Sequence, residues 1–202
     1  VTPTPTLPSK IETENGLSLE FISKNGWRVT GYSGSATHVV IPEEINGLKV
    51  TEIGYAAFEN CTSLKTIELP QSIVSLGRYA FKNCTSLTSV TLPEGLTTIG
   101  GSAFSNCGKL ATLKLAKGLG SIATSAFSGC IALTDFYIED IDTWLSMPTD
   151  PDLLAVNGLS KRIYLQGELL TDLVIPEGTT SIRANAFKNC TNLIYVMVGE
   201  KE

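Results

Sequence analysis

Apolar and polar positions follow one frame along this chain, and the frame returns at a fixed distance. In residues 53–70 the apolar side chains are an Ala-Phe pair, a Cys three residues later, and then Leu, Ile and Leu. Phe58 of this frame returns as Phe81, Phe104 and Phe127, each 23 residues after the one before. A fixed period of this size is typical of a solenoid, whose stacked coils bury one continuous core.

Within one coil, the spacing predicts a short helical segment followed by a short strand. Ala80, Cys84 and Leu87 recur at i, i+4 and i+7, as on the apolar side of a helix. Val90 and Leu92 then alternate with polar residues, and a proline follows that cannot donate to a strand ladder. We therefore expect an α/β solenoid of 23-residue repeats, with short parallel strands and short helical segments.

The frame A-F-x-x-C-x-x-L-x-x-I-x-L-P-x-x-x-x-x-I-G resembles the BspA-like leucine-rich repeats of bacterial surface proteins. The resemblance covers roughly residues 37–198, and a fifth copy of its A-F-x-x-C-x-x-L part is centred on Phe187. It implies a right-handed leucine-rich-repeat superhelix at an extracellular or cell-surface location. It also implies adhesion to a protein of a host or of a neighbouring cell.

The segments that depart from the frame set the expected domain boundaries. Leu17 to Phe21 and Trp27 to Val29 alternate around the turn signal Asn25-Gly26, which predicts a hairpin in an N-terminal cap. The expected division is a Thr/Pro-rich linker at 1–10, a β-rich N-terminal cap at 11–50, four regular repeats at 51–138, an irregular repeat with an insertion at 139–178 and a final repeat at 179–202, with 11–202 as one structural domain.

The irregular repeat carries two expectations of its own. Trp144 and Leu145 stand where the Ala-Phe pair would be, so a longer helical turn is expected there. Farther on, Arg162 to Leu165 and Leu170 to Ile175 read as two strands, which we expect to form a hairpin around Gln166-Gly167-Glu168.

Composition and charge exclude several classes of function. The 202 residues carry a net charge of −5 without a cluster of Lys and Arg, so neither nucleic acid nor an anionic membrane surface is an expected partner. No run of eighteen apolar residues is present, so no membrane span is expected. The chain starts at Val1 without the apolar core of a signal peptide, and we expect a processed or excised piece of a protein.

The sequence offers little for catalysis or metal binding. All five cysteines occupy one repeat position, where parallel side chains suit neither a disulfide nor a zinc site, so we expect buried thiols. His38 is the only histidine and lacks the context of a nucleophile motif. The acidic residues from 139 to 152 match no calcium-loop spacing and are interpreted as a solvated loop. We therefore expect no enzyme activity, no cofactor and no metal.

The outward positions of the strands remain as candidates for binding. They change along the chain from small or charged residues to aromatic ones, and exposed aromatic residues commonly anchor partners. Tyr137, Tyr195 and Met197, together with Tyr164 and Trp144, form the predicted contact patch. The full candidate set on the strand face is Thr66, Glu68, Thr91, Lys114, Asp135, Tyr137, Tyr195 and Met197.

These residues leave three hypotheses for the function. The leading one is a non-enzymatic, secreted or cell-surface module that binds a protein through the strand face of the solenoid. The second is a structural spacer or scaffold for an attached domain, which the Thr/Pro-rich start favours. The third is a carbohydrate-binding surface made by the Tyr and Trp side chains.

Overall fold

A computed structural model describes residues 8–22, 26–148, 153–154 and 158–199 of the chain. Short strands recur at nearly every coil and stack into a solenoid. The strands, numbered along the chain, are β1 Lys10–Glu12, β2 Leu17–Phe21, β3 Trp27–Tyr32, β4 His38–Val40, β5 Glu44–Ile45, β6 Leu48–Ile53, β7 Thr66–Glu68, β8 Ser75–Leu76, β9 Ser89–Val90, β10 Thr98–Ile99, β11 Thr112–Lys114, β12 Ser121–Ile122, β13 Asp135–Ile138, β14 Arg162–Leu165, β15 Glu168–Leu169, β16 Asp172–Pro176 and β17 Tyr195–Gly199.

Two parallel ladders run along the solenoid. The first is built from the predicted L-x-x-I-x-L strands: β4, β7 and β9 pair in order, and β11, β13 and β14 continue them. The bridge between Thr91 and Lys114 joins these two groups. The second ladder contains β6, β8, β10 and β12, which lie one behind another. Only the first ladder was expected, because the two-residue strands of the second are too short to show an alternation.

The N-terminal cap begins as an antiparallel sheet and ends as part of the solenoid. Strands β1, β2 and β3 are antiparallel, which confirms the predicted hairpin, although Asn25 lies outside the described residues. Strand β3 then pairs in parallel with β6 and so opens the second ladder. Trp27 is buried and donates its indole N–H to the carbonyl of Ile45 at 2.9 Å. The apolar residues of this segment, Leu17, Leu19 and Trp27 among them, belong to the same core cluster as those of the coils.

The Ala-Phe-x-x-Cys segments are turns, so the predicted short helical segments are not confirmed. Cys84 and Leu87 donate their backbone N–H groups to Phe81 and Cys84, each only three residues back. Asn83 adopts a positive φ of 61°, which an α-helix does not contain. These tight turns still place the Phe rings in a stack, with centroids 5.3, 5.1 and 5.2 Å apart from Phe58 through to Phe127.

Burial of the repeated cysteine is confirmed for three of the five coils. Cys84, Cys107 and Cys130 are fully buried, and each thiol donates to the carbonyl of the Phe in the coil before, at 3.1, 3.2 and 3.0 Å. Cys61 and Cys190, near the two ends, are half-buried. Burial raises the pKa of both of these thiols to about 11, so they are protonated at neutral pH.

The irregular repeat confirms one expectation and corrects another. Helix α1, Ile141–Ser146, is the only α-helix among the described residues and confirms the longer helical turn, and it buries Trp144 and Leu145. Strand β14 does form a hairpin at Gln166-Gly167, but its partner is the two-residue β15. The later strand β16 was expected in this hairpin and instead pairs in parallel with β17. A two-residue turn with positive φ at both positions allows this close reversal.

Candidate interaction surface

The first ladder places its outward side chains in two columns, here called the strand face. One column is defined by the paired positions His38–Thr66, Thr66–Ser89, Thr112–Asp135 and Asp135–Arg162. The other column is defined by the paired positions Val40–Glu68, Thr91–Lys114, Lys114–Tyr137 and Tyr137–Tyr164. Six of the eight predicted residues therefore share this surface: Thr66, Glu68, Thr91, Lys114, Asp135 and Tyr137.

The first part of the strand face is small and polar. Glu68 and Thr91 are exposed and Thr66 is half-buried. His38 lies between Thr66 and Glu68: its Nδ1 is 2.7 Å from the Thr66 hydroxyl and its Nε2 is 3.3 Å from a Glu68 carboxylate oxygen. The three side chains stand on an open strand surface, and the geometry is that of exposed cross-strand pairs.

The second part of the strand face carries a stacked pair of tyrosines. The rings of Tyr137 and Tyr164 lie 4.4 Å apart between centroids and 5° from parallel. The two residues are direct neighbours on β13 and β14, so each ring is held by the strand beneath it. Both side chains are half-buried, and desolvation raises the pKa of the Tyr164 hydroxyl, which therefore stays protonated at neutral pH. The pair offers an apolar surface with two hydroxyl groups.

An ion pair lies in the column beside the tyrosines. Arg162 contacts Asp135 with two nitrogens: Nη2 donates to Oδ2 at 2.7 Å and Nε lies 2.6 Å from Oδ1. Thr134 also donates its hydroxyl to Oδ2 at 2.8 Å. Burial alone would raise the pKa of Asp135, but these contacts outweigh it and hold that pKa below its ordinary value. The carboxylate is therefore charged at neutral pH and fixed in position.

A second ion pair borders Tyr137 on the side of the preceding coil. The Lys114 ammonium lies 3.5 Å from a carboxylate oxygen of Glu139. Both side chains are well exposed, so this pair is weak and its members are free to exchange partners. The tyrosine pair thus lies between a fixed charge pair and an adjustable one.

The remaining predicted aromatic residues lie elsewhere. Tyr195 and Met197 are exposed on β17, which forms a separate two-stranded sheet with β16. Trp144 was expected in the contact patch, and this is wrong: the side chain is 1% exposed. Its indole N–H donates to the carbonyl of Ala186 at 3.1 Å, and Arg183 lies over its ring at 4.1 Å from the centroid. The tryptophan is a packing residue of the irregular repeat.

Arg162 is the residue of this surface that the sequence did not indicate. It follows Asp135 by 27 residues, whereas the repeat places outward neighbours 23 residues apart. The irregular repeat adds four residues to this coil, so the fixed period does not bring the pair into register. The opposite charges of Asp135 and Arg162, each just before an apolar strand residue, are the only signal that could have found it.

One acidic side chain in this region, that of Asp140, caps a helix. Asp140 accepts the backbone N–H of Thr143 at 2.7 Å and caps α1, and this contact lowers its pKa. Asp150 and Asp152 of the predicted loop lie outside the described residues.

Within the described ranges, no three His, Cys, Asp or Glu side chains come close enough together to hold a metal ion. No described helix has the length and apolar character that a membrane crossing needs.

Comparison with known families gives one match that covers most of the chain. The model of the BspA-type leucine-rich-repeat region matches residues 32–146 and 158–201, in six copies. No curated protein matches the chain.

Solved structures of bacterial leucine-rich-repeat proteins are similar to this fold. A leucine-rich repeat protein from Bacteroides capillosus is 27% identical, with a TM-score of 0.60 over 66% of this chain and 100% of that one. A leucine-rich cell surface protein from Faecalibacterium prausnitzii is 22% identical, with a TM-score of 0.59 over 98% of this chain and 56% of that one. The pneumococcal vaccine antigen PcpA is 18% identical, with a TM-score of 0.59 over 96% of this chain and 48% of that one.

Proposed function

This chain belongs to the family of BspA-type leucine-rich-repeat proteins, and on that basis we propose that it is a non-enzymatic binding module of a bacterial surface or secreted protein. Its ligand is a protein on a host or neighbouring cell, held by the strand face. The extracellular location is supported by two similar structures, one described as a cell surface protein and the other as a vaccine antigen.

One observation carries the proposal: the stacked Tyr137–Tyr164 pair between two ion pairs. Protein interfaces are enriched in tyrosine and arginine, because these side chains bury much apolar area and still make hydrogen bonds. Arg162 holds the Asp135 carboxylate by two contacts, so this part of the surface is arranged before a ligand arrives. Binding to such a surface loses little side-chain entropy, which favours affinity.

Rigidity of the supporting strands favours the same function. Tyr137 and Tyr164 are anchored by the buried residues beside them, Phe136 and Ile163. Because β13 is paired on both edges, by β11 and β14, the tyrosines are expected to keep their spacing in solution. The proposed mechanism is contact at several points across a preformed face, with little conformational change.

The test is binding of the purified chain to an array of extracellular-matrix and cell-surface proteins, with a glycan array alongside. Tyr137→Ala/Tyr164→Ala should lower the affinity for the bound protein at least about tenfold while the chain stays folded. Tyr195→Ala/Met197→Ala, on the separate β17 sheet, is the matched control and should bind as the unaltered chain does.

Each other result would change the assignment. Loss of binding only in the Tyr195→Ala/Met197→Ala variant would move the site to β17. Binding to a glycan and to no protein would favour a carbohydrate-binding surface. The absence of binding on both arrays would contradict the proposal and favour a structural spacer for an attached domain.

A further inference from the structure

Strand β4 opens the first ladder, and one of its edges has no partner strand among the described residues. Toward β7, the carbonyl of Thr37 accepts from Thr66 at 3.1 Å and the N–H of Ile41 donates to Glu68 at 3.0 Å. Backbone groups alternate in direction along a strand, so those of His38 and Val40 point to the opposite edge. This edge therefore offers two N–H donors and two C=O acceptors.

A groove follows this free edge along its whole length. A cavity of about 550 Å³ reaches from Ser33 past His38 to Val40. A second cavity of about 490 Å³ continues from Val40 to Pro42 and Ile45. Val40, Glu14 and Asn15 line both cavities, whereas no residue of β7 lines either one. We call the two together the edge groove.

The wall opposite β4 is held in place by backbone hydrogen bonds. The turn between β1 and β2 is closed by the N–H of Gly16 donating to Thr13 at 2.9 Å. Ser33 donates its N–H to the carbonyl of Gly16 at 2.9 Å, which ties this turn to the segment after β3. Beneath that segment, the Tyr32 ring packs on Phe58, 5.4 Å between centroids, at the end of the Phe stack. The groove is thus part of the ordered cap.

Charge gives the groove a preference. Glu14 lines both cavities, is exposed and forms no ion pair with any described residue. Neither cavity has a Lys or Arg in its lining. The side chain of Val40, 48% exposed, gives the centre of the groove an apolar contact. A ligand that fits is extended, apolar at alternate positions and positively charged beside Glu14.

We propose that the edge groove binds an extended, lysine-bearing segment of a partner protein as an added β-strand. The segment pairs its backbone with His38 and Val40 and places an ammonium group beside Glu14. Pairing of this kind takes its affinity from main-chain hydrogen bonds and its selectivity from alternate side chains. The site is separate from the Tyr137–Tyr164 pair and does not depend on the function proposed for it.

The probe is the peptide TVKVTVKT-amide with fluorescein at its N-terminus. The full chain is titrated into it, and the anisotropy of the fluorescein emission is followed. Val40→Pro removes one outward N–H, and because that N–H makes no ladder bond, an edge strand tolerates the change. We expect this variant to bind the peptide at least about tenfold more weakly. Val40→Thr keeps the N–H and the branched shape and is the matched control, with unchanged affinity.

Two further arms keep the proposal testable whatever the folding of the proline variant. In the unaltered chain, the peptide should slow hydrogen exchange of the His38 and Val40 amides. Glu14→Lys should weaken peptide binding about tenfold, whereas Glu94→Lys, on an exposed turn outside the groove, should not. Tyr137→Ala/Tyr164→Ala should leave it unchanged.

Any of three results would overturn the proposal. The first is no binding of the peptide at concentrations up to about 1 mM. The second is unaltered exchange at His38 and Val40 in the presence of bound peptide. The third is equal affinity of a folded Val40→Pro variant and its Val40→Thr control.

Discussion

The regular coils of residues 51–138 and the coils that follow share one sequence frame but differ in what surrounds it. Phe104 is fully buried, whereas Phe187 at the same frame position is only partly buried. Val90 in the regular part is 6% exposed, and its equivalent Val196 on β17 is 55% exposed. The frame therefore places an apolar residue at each of these positions, but how far that residue is buried depends on the neighbouring coils packed against it.

The outward positions of the strands change earlier along the chain, within the last regular coil. In the coils before it they are residues such as Thr66 and Thr91, which suit a strand and little else. After residue 134 they become Asp135, Tyr137 and their partners on β14. A core position must repeat because every coil has the same neighbour, but an outward position is released from that constraint. The change along the strand face is thus where a specific function can reside.

The largest expected effect is on the Phe stack. Phe104→Ala should lower the free energy of unfolding by about 3–5 kcal/mol, because it leaves a cavity between two stacked rings. Phe187→Ala removes the same atoms from a partly exposed site and should cost less than about half of that. Urea denaturation of both variants measures the difference. Equal losses would show that position in the frame, and not the neighbouring coils, sets the contribution.

A smaller effect is expected at the Asp135–Arg162 ion pair, which joins the last regular coil to the irregular repeat. Asp135→Ala should cost about 1–3 kcal/mol at pH 7, because it removes hydrogen bonds between charged groups at a nearly buried site. The folded-state pKa of Asp135 is lowered, so its stabilisation is complete above the ordinary Asp value of about 3.9 and is lost as the pH falls through the lowered one. The difference between variant and unaltered chain should therefore shrink toward pH 2.

The matched control for that experiment is the second ion pair of the strand face. Lys114 and Glu139 lie 3.5 Å apart, and both side chains are well exposed. Lys114→Met should shift the urea midpoint much less than Asp135→Ala does, since exposed pairs contribute little. A loss for Asp135→Ala that does not change with pH would mean that packing, not charge, explains it.

The smallest expected effect is at the turn asparagines of the regular coils. Asn83 donates its side-chain amide to Asn60 at 2.8 Å and accepts from Asn106 at 2.9 Å. All three have positive φ values of 61–64°, where alanine is strained. Asn83→Ala should cost about 1 kcal/mol in thermal or urea unfolding. Asn83→Gly, which relieves the backbone strain but loses both hydrogen bonds, should cost less, and the reverse order would exclude strain as the cause.

Much of the fold could be predicted because the same packing problem recurs in each coil. The spacing from Phe58 to Phe127 indicated the solenoid, and the alternation around Trp27 indicated the cap hairpin. The turns at Asn83 and its equivalents were predicted as helix, because i, i+4, i+7 spacing does not reveal a positive φ between the apolar residues. Nor could two-residue strands such as Ser75–Leu76 be seen, since their pairing depends on the coil beside them.

The candidate site was predictable only in part. Asp135 and Tyr137 follow from the frame, whereas Tyr164, which was included in the predicted contact patch, lies outside the regular frame. Arg162 was missed because the irregular repeat lengthens the coil before it. The fixed 23-residue period therefore does not place Arg162 beside Asp135. Trp144 was assigned to the contact patch as an aromatic residue, although it stands at the Ala-Phe position of the frame, and in the fold its indole N–H donates to the carbonyl of Ala186. The edge groove beside β4 left no signal in the sequence, since Glu14 and Val40, which both line it, are brought together only by the fold.

Under the proposed function, the second part of the strand face contributes more to binding of the protein ligand than the first part does. The most direct test compares Tyr137→Ala/Tyr164→Ala with Thr66→Ala/Thr91→Ala in surface plasmon resonance against the protein that the array identifies. We expect at least about a tenfold loss of affinity for the tyrosine pair and less than about a twofold change for the threonine pair. Equal losses, or a loss only with the threonine pair, would contradict it.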